Sequence, residues 1–460
     1  PSVALLAFAG VLGVLAALAY RRFAPARTFL TILVPAPLVF IALFLFASPV
    51  AKITLAPEAE AHAAAVRAGA PVVMIVFDEF PLLSLLDGEG EIDIRRYPNF
   101  AVLARDSTWF RRTLAVSGDT TKAVPALLTG KNPDPDRLPF FADHRQNLFT
   151  LLGGNYRLNV VEPITRLCPA DLCPEKDEAS FVSRQRRLFS DVGVVYGHVV
   201  LPRDLSERLP SISSTWMDFR DNALHDLKDR DEEFRAFVAS IEPTSEPTFW
   251  FLHTLLPHHP WRYLPSGSEY ARATLIPGVV EDRWGADAVL AAQAHQRHLL
   301  QVGFMDRLLG ELLARLRATG LYERSAIVVT ADHGVSFRPN GDRRRLTDEN
   351  IAEVGLVPLF VKAPRQSRGR VVDTVMRTTD GLPTIARVLG IRVPWEVEGE
   401  PVGSRGELES KLAAALRRQT VLFGSDLYRI GPHVELVGRA VAELPVIDNP
   451  DLTSELFDQE

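Results

Sequence analysis

Four short stretches carry side chains able to do chemistry: FDEF from Phe77, SGDTTKAVPALLTG from Ser117, FLHTLLPHHPW from Phe251 and ADHG from Ala331. Asp78 with Glu79, and Asp332 with His333, are an acidic pair and an acid–imidazole pair. Several oxygens and one imidazole on rigid supports suit a hard or borderline divalent cation. Either pair alone is a weak signal, because an Asp after a strand is often a turn former. Together, with Gly334 allowing a sharp turn behind His333, they make Asp78, Glu79, Asp332 and His333 an expected metal site. The histidine favours Mn²⁺, Zn²⁺ or Mg²⁺ over Ca²⁺.

The second stretch offers what such a cation could act on. A threonine hydroxyl is a poor nucleophile at neutral pH, and coordination lowers its pKa. At a helix N-terminus it also faces amides able to hold anionic oxygens. Ordinary capping by Asp119, Thr120 or Thr121 explains the stretch equally simply when it is taken alone. In the third stretch His253, His258 and His259 follow or lie within an apolar run. His253 reads as a core histidine, and His258 is the one expected to steady or protonate a leaving group.

Rigid elements must hold these groups. Val72 to Phe77 is a continuous apolar run, the pattern of a strand buried on both faces, and Thr248 to Leu256, Ser325 to Gly334 and Gly355 to Pro364 resemble it. Helical patterns alternate with them, notably Ala286 to Thr319 before Gly320, and the charge-rich stretch from Ser214 to Ile241. This alternation predicts an α/β fold with a mostly parallel central sheet. In open sheets of that kind functional groups collect beyond the carboxyl ends of the strands, where Asp78 and Asp332 fall. After Gly390 a Pro- and Glu-rich turn, a charged helix near Glu407 to Arg418 and short strands predict a small C-terminal subdomain.

The first 50 residues read differently. Ser2 to Tyr20 and Thr28 to Val50 are uncharged apolar runs, the second broken only by Pro35 and Pro37, and two membrane helices are expected. Arg21, Arg22 and Arg27 between them place that loop in the cytoplasm and the residues after Val50 outside it. Because the chain starts at Pro1, it is expected to be a piece of a longer protein. The net charge of −6 gives no support to nucleic-acid binding. The two cysteines, Cys168 and Cys173, sit in a proline-marked loop, and on the oxidising side of a membrane they are expected to pair. The expected division is a membrane region over 1–52, a linker over 53–70, a catalytic domain over 71–395 and the subdomain over 396–460.

FDEF, the TTKAVPALLTG helix, PHHPW, GFMDRLLGELLARLRATGLYERSAIVVTADHG, VPLFVKAP and TTDGLPTIARVLGI occur in an order that resembles the sulfatase branch of the alkaline phosphatase superfamily, from about Pro71 to Ile391. The resemblance implies an alkaline-phosphatase-like mixed sheet between helical layers, a divalent metal cofactor, and displacement at a phosphate or sulfate ester through a covalent enzyme intermediate. Carried over by position, it implies Asp78, Asp332 and His333 as metal ligands, Glu79 where sulfatases have a second Asp, His258 against substrate, and Thr120 as nucleophile by counting back from Thr129-Gly130. It implies a structural role for Asp306. Sulfatases carry Cys, more rarely Ser, in Cys-x-Pro-x-Arg; here Thr120, Lys122 and Val124 stand at those positions. That departure makes the chain more similar to the membrane-anchored lipoteichoic acid synthases and phosphoethanolamine transferases.

The function so implied is a membrane-anchored phosphotransferase or phosphodiesterase acting on head-group phosphodiesters outside the cytoplasmic membrane, its substrate a membrane lipid or cell-envelope glycan. Thr121 is the alternative nucleophile should the count be off by one, and Lys122, His259, Arg338 and Arg343 are candidates for holding anionic oxygens. A sulfuric ester hydrolase is the second reading. A non-catalytic envelope protein is the third, for which a decayed metal set would be expected.

Overall fold

The computed structural model describes residues 2–47, 69–174, 181–206, 209–210, 230–269, 276–280 and 282–399. The expected linker, the expected C-terminal subdomain and most of the charge-rich helix from Ser214 lie outside them. By contact the chain forms two units, Pro1–Glu60 with Glu175–Asp229, and Ala61–Pro174 with Arg230–Glu460.

In the first unit, α1 spans Ser2–Arg22, α2 Ala24–Leu33 and α3 Ala36–Ala47. The second apolar run is therefore not one helix. Pro35 lacks the amide hydrogen a continuing helix needs, and the break falls at Val34–Pro35. Among the described residues no single helix is long and apolar enough to cross a membrane; the pair Ala7–Arg22 and Arg27–Leu43, bent by 108°, passes that test together by length and composition. Large apolar side chains such as Phe8, Leu15, Phe29 and Phe40 are exposed on these helices. Phe189, Val192, Tyr196 and Val199, spaced three or four residues apart, are exposed along the helix Phe181–Val200 of the same unit.

The second unit holds the chemistry. Its first part carries β1 (Val72–Asp78), α4 (Pro98–Asp106), β2 (Thr108–Phe110), β3 (Thr113–Leu114), α5 (Thr120–Thr129), α6 (Leu148–Leu152) and β4 (Arg157–Val161). Its second part adds α7 (Arg230–Ala239), β5 (Thr248–Pro257), β6 (Val279–Val280), β7 (Arg283–Trp284), α8 (Ala288–Ala318) and β8 (Ala326–Ala331). Then come β9 (Leu356–Val357), β10 (Leu359–Lys362), β11 (Arg370–Val372), β12 (Met376–Arg377) and α9 (Gly381–Leu389). The main sheet runs β11-β2-β10-β8-β1-β5-β4. β4, β5, β1 and β8 are parallel neighbours, whereas β10 runs antiparallel to both β8 and β2. The sheet is thus mixed and mostly parallel. β10 reverses because Gly355 to Lys362 follows the strand β8 through a loop and a helical turn rather than through a long crossover helix.

All seven residues of β1 are buried, as a strand covered on both faces requires. Val73, Ile75 and Phe77 meet α4, α7 and α8 through Phe100, Phe234 and Leu308. Val72, Met74 and Val76 meet α5, α6 and α9 through Val124, Leu151 and Ile385. Each such fully buried apolar side chain contributes roughly 1.5–3 kcal/mol. Asp306 on α8 accepts from the Asn99 and Phe100 amides (3.0 and 2.8 Å) and from the Asn99 side chain (2.9 Å), which caps the otherwise unsatisfied first turn of α4. Cys168 and Cys173 form a disulfide.

Candidate metal and nucleophile centre

Three neighbouring strands build the floor of the site by simple alternation. On the face covered by α5, β1 presents Val72, Met74, Val76 and Asp78; β5 presents Phe249, Phe251 and His253; β8 presents Ala326, Val328 and Thr330, with Asp332 just beyond. The register pairs Val76 with both His253 and Thr330, and Phe77 with Ala331, so Asp78 and Asp332 stand level at the strand ends.

Above them, α5 delivers the hydroxyl. Asp119 caps the helix, accepting from the Thr121 amide at 3.0 Å and from Thr121 Oγ1 at 2.9 Å. Thr120 points the other way: it is buried, and its Oγ1 lies 3.2 Å from His333 Nε2. Close backbone approaches set this meeting. A Cβ on Gly118 would lie 1.8 Å from the Arg344 carbonyl oxygen, and one on Gly334 would lie 2.1 Å from that of Glu353. Gly334 is therefore required for contact and not for a left-handed turn.

His333 Nδ1 lies 2.9 Å from the Gly334 carbonyl, which assigns its proton there and leaves the Nε2 lone pair facing the site. That nitrogen is 3.5 Å from Asp332 Oδ2 and 3.9 Å from Asp78 Oδ1. Asp332 Oδ1 accepts the His333 and Glu79 amides at 2.6 and 3.3 Å. Asp78 Oδ1 and Asp332 Oδ2 are fully buried without a hydrogen-bond partner. Burial, then the neighbouring Asp332, pushes the Asp78 carboxyl well above its usual range; burial pushes Asp332 up to about 7, against the pull of the nearby Thr120 hydroxyl and of the two amides it accepts. Two partnerless buried carboxylate oxygens, the imidazole lone pair of His333 and the hydroxyl beside it are a donor set lacking positive charge, and they fit a divalent cation.

Glu79 is not part of that set. Its backbone is left-handed (φ 55°), and its buried carboxylate lies 3.1 Å from Arg343 Nη2, 3.6 Å from Arg344 Nε and 3.4 Å from His258 Nε2. Burial raises its pKa, but Arg343, His258 and Arg344 outweigh burial and hold it well below the usual carboxylate range. Glu79, His258 and His259 do form a second group whose ligand atoms lie within 4.8 Å of one another. Two guanidiniums already balance the one carboxylate there, which opposes a further cation.

The loop after β5 is fixed by Arg230, which donates to the Leu255, His258 and His259 carbonyls, and by Gln301, which donates to those of Pro257 and His258. His258 donates from Nδ1 to the His259 carbonyl at 2.6 Å and turns Nε2 toward Glu79. Burial lowers the pKa of both histidines, that of His259 to about 4.

Three expected anion-holding cations are engaged elsewhere. Lys122 Nζ donates to the carbonyls of Asp134, Pro135 and Arg137, Arg338 pairs with Glu353 at 2.6 Å, and Arg343 bridges Glu79 and Asp282. Two residues escaped the sequence reading. Arg344 stays partly exposed beside Glu79 and is visible in the sequence only as one of three consecutive arginines. His253, read there as core, has ligand atoms within 4.8 Å of those of Asp78 and Asp332.

A hydroxyl on a helix N-terminus above acidic strand ends, in a mixed α/β sheet, is an arrangement suited to metal-assisted displacement at an ester. Residues 196–391, less than half of the chain, match the family model described as Sulfatase. The match takes in His258, Asp332 and His333; Asp78 and Thr120 precede it. Among curated proteins, Arylsulfatase K of Xenopus laevis is 33% identical over 95 residues, 20% of this chain and 17% of that protein. Lipoteichoic acid synthase 1 of Bacillus subtilis is 25% identical over 171 residues, 36% of this chain and 24% of that protein. The chain thus spans less than a third of either relative. Among solved structures, a phosphonate monoester hydrolase from Silicibacter pomeroyi aligns at TM-score 0.43 and 18% identity, over 72% of this chain and 75% of that one. Over part of its length the chain is thus similar both to sulfatases and to a lipoteichoic acid synthase.

Proposed function

We propose that the chain is a metal-dependent phosphotransferase or phosphodiesterase acting on head-group phosphodiesters, with Thr120 as its nucleophile. The observation that carries this reading is the contact of Thr120 Oγ1 with His333 Nε2 at 3.2 Å, beside two buried carboxylates without partners. Asp78, Asp332, His333 and Thr120 would hold the cation. When bound, it supplies positive charge that favours the ionised hydroxyl and the anionic oxygens of the ester.

Thr120 loses its proton to solvent, and its oxygen forms a bond to phosphorus. The bond from phosphorus to the leaving oxygen breaks, the electron pair stays on that oxygen, and solvent supplies the proton that neutralises it, with His258 steadying the leaving group. The positive end of α5 and the partly exposed Arg344 steady the charge on the remaining oxygens. An acceptor hydroxyl or water then attacks phosphorus, gives up its proton, and frees Thr120. Threonine in place of an oxidisable Cys or Ser, and the likeness to a lipoteichoic acid synthase, support phosphorus over sulfur. The exposed apolar helices of the first unit support a membrane-attached enzyme, and the disulfide with the arginine-bearing loop supports a catalytic unit outside the cytoplasm.

The likeness to an arylsulfatase favours one other reading, sulfate-ester hydrolysis. Turnover of a phosphodiester and of a sulfate ester, each with Mn²⁺, Zn²⁺ or EDTA, separates the two. Phosphodiester turnover that is abolished by EDTA, by Thr120→Ala and by Asp332→Ala is expected; activity surviving both substitutions overturns the mechanism.

A further inference from the structure

We infer that His253 is an additional ligand of the cation, completing the centre from below. The inference rests on the metal reading and goes beyond the residues expected from the sequence, where His253 counted as packing. It starts from alternation: Phe249, Phe251 and His253 are the β5 stripe on the face where β1 ends in Asp78 and β8 leads to Asp332. The first two fill the core. The third is an imidazole in the same row as Val76 and Thr330, one step below the two carboxylates.

That imidazole is fully buried, and neither Nδ1 nor Nε2 has a hydrogen-bond partner. A histidine kept for packing alone normally satisfies at least one nitrogen, because a buried polar atom without a partner is costly. Here the atoms within reach are the ligand atoms of Asp78 and Asp332, all within 4.8 Å of one another. These carboxylates bear the partnerless oxygens Asp78 Oδ1 and Asp332 Oδ2. Three sets of unmet polar atoms converging in one buried space are explained together by one cation between them. His253 then supplies a second nitrogen to a set otherwise made of oxygens and His333, which shifts the site toward borderline metals.

Pulsed EPR of the Mn²⁺-loaded protein counts the coordinated imidazoles directly. Two are expected in the wild type and one in either His253→Gln or His333→Gln. A wild type with a single imidazole, lost only in His333→Gln, overturns the assignment of His253 and leaves the metal reading intact. A protein that takes up no Mn²⁺ overturns both. A second measurement guards against a folding defect. In EDTA, His253→Leu should melt no lower than the wild type, since it removes an unpartnered polar group, yet its Mn²⁺ affinity should fall at least tenfold. A variant that melts lower in EDTA and binds Mn²⁺ as the wild type does would mark His253 as a packing residue.

Discussion

Thr120 and Thr121 are neighbours with different duties because only one of them is claimed by the cap. Thr121 spends its hydroxyl on Asp119, whereas Thr120 turns inward to His333. Thr120→Ala should therefore abolish both turnover and the covalent adduct seen by intact mass, at little cost to stability. Thr121→Ala should lower stability by about 1 kcal/mol in urea titration and retain the adduct. Glu79 is a second test. Removing its charge leaves the buried Arg343 facing a neutral amide, so Glu79→Gln should destabilise the domain by about 3 kcal/mol while Mn²⁺ uptake, followed by calorimetry, persists. The places of Asp78, Asp332 and His333 were legible in the sequence because strand ends can be read from apolar runs and turn residues. The choice of Thr120 over Thr121 rested on the family resemblance, because capping alone explained that stretch. The direction of Glu79 was not legible, since it depends on a left-handed backbone and on Arg343 and Arg344, more than 260 residues away in sequence.

At the scale of elements, the site is held by contacts between backbones. Gly118→Ala cannot be accommodated without moving either the start of α5 or the bend at Arg344. Its far-UV spectrum should match the wild type while phosphodiester turnover falls by at least tenfold. Asp306 is the corresponding device under α4, and Asp306→Ala should cost about 2 kcal/mol in chemical denaturation by stripping two amides of their acceptor. The long helix carrying Asp306 runs from Ala288 to Ala318, close to where its periodicity places it, and the four apolar runs all contain strands. What periodicity does not encode is strand direction. β10 looks like its parallel neighbours in composition and runs against them.

At the scale of the molecule, Cys168 and Cys173 report the compartment. Thiol trapping in intact cells should find them paired if the catalytic unit lies outside the cytoplasm, and reducing this short loop should cost about 2 kcal/mol. The strand-end carboxylates carry a further consequence, for how much of the protein a cell keeps. If these acids hold an ion, its loss leaves their unmatched oxygens together in the core, and the empty chain would be the softer form. Saturation at a hundredfold over Kd would add about 2.7 kcal/mol, so a chelator should lower the melting temperature reversibly in a scanning fluorimeter. Scarcity of the metal would then act twice, by idling the catalyst and by handing the idle copies to proteolysis.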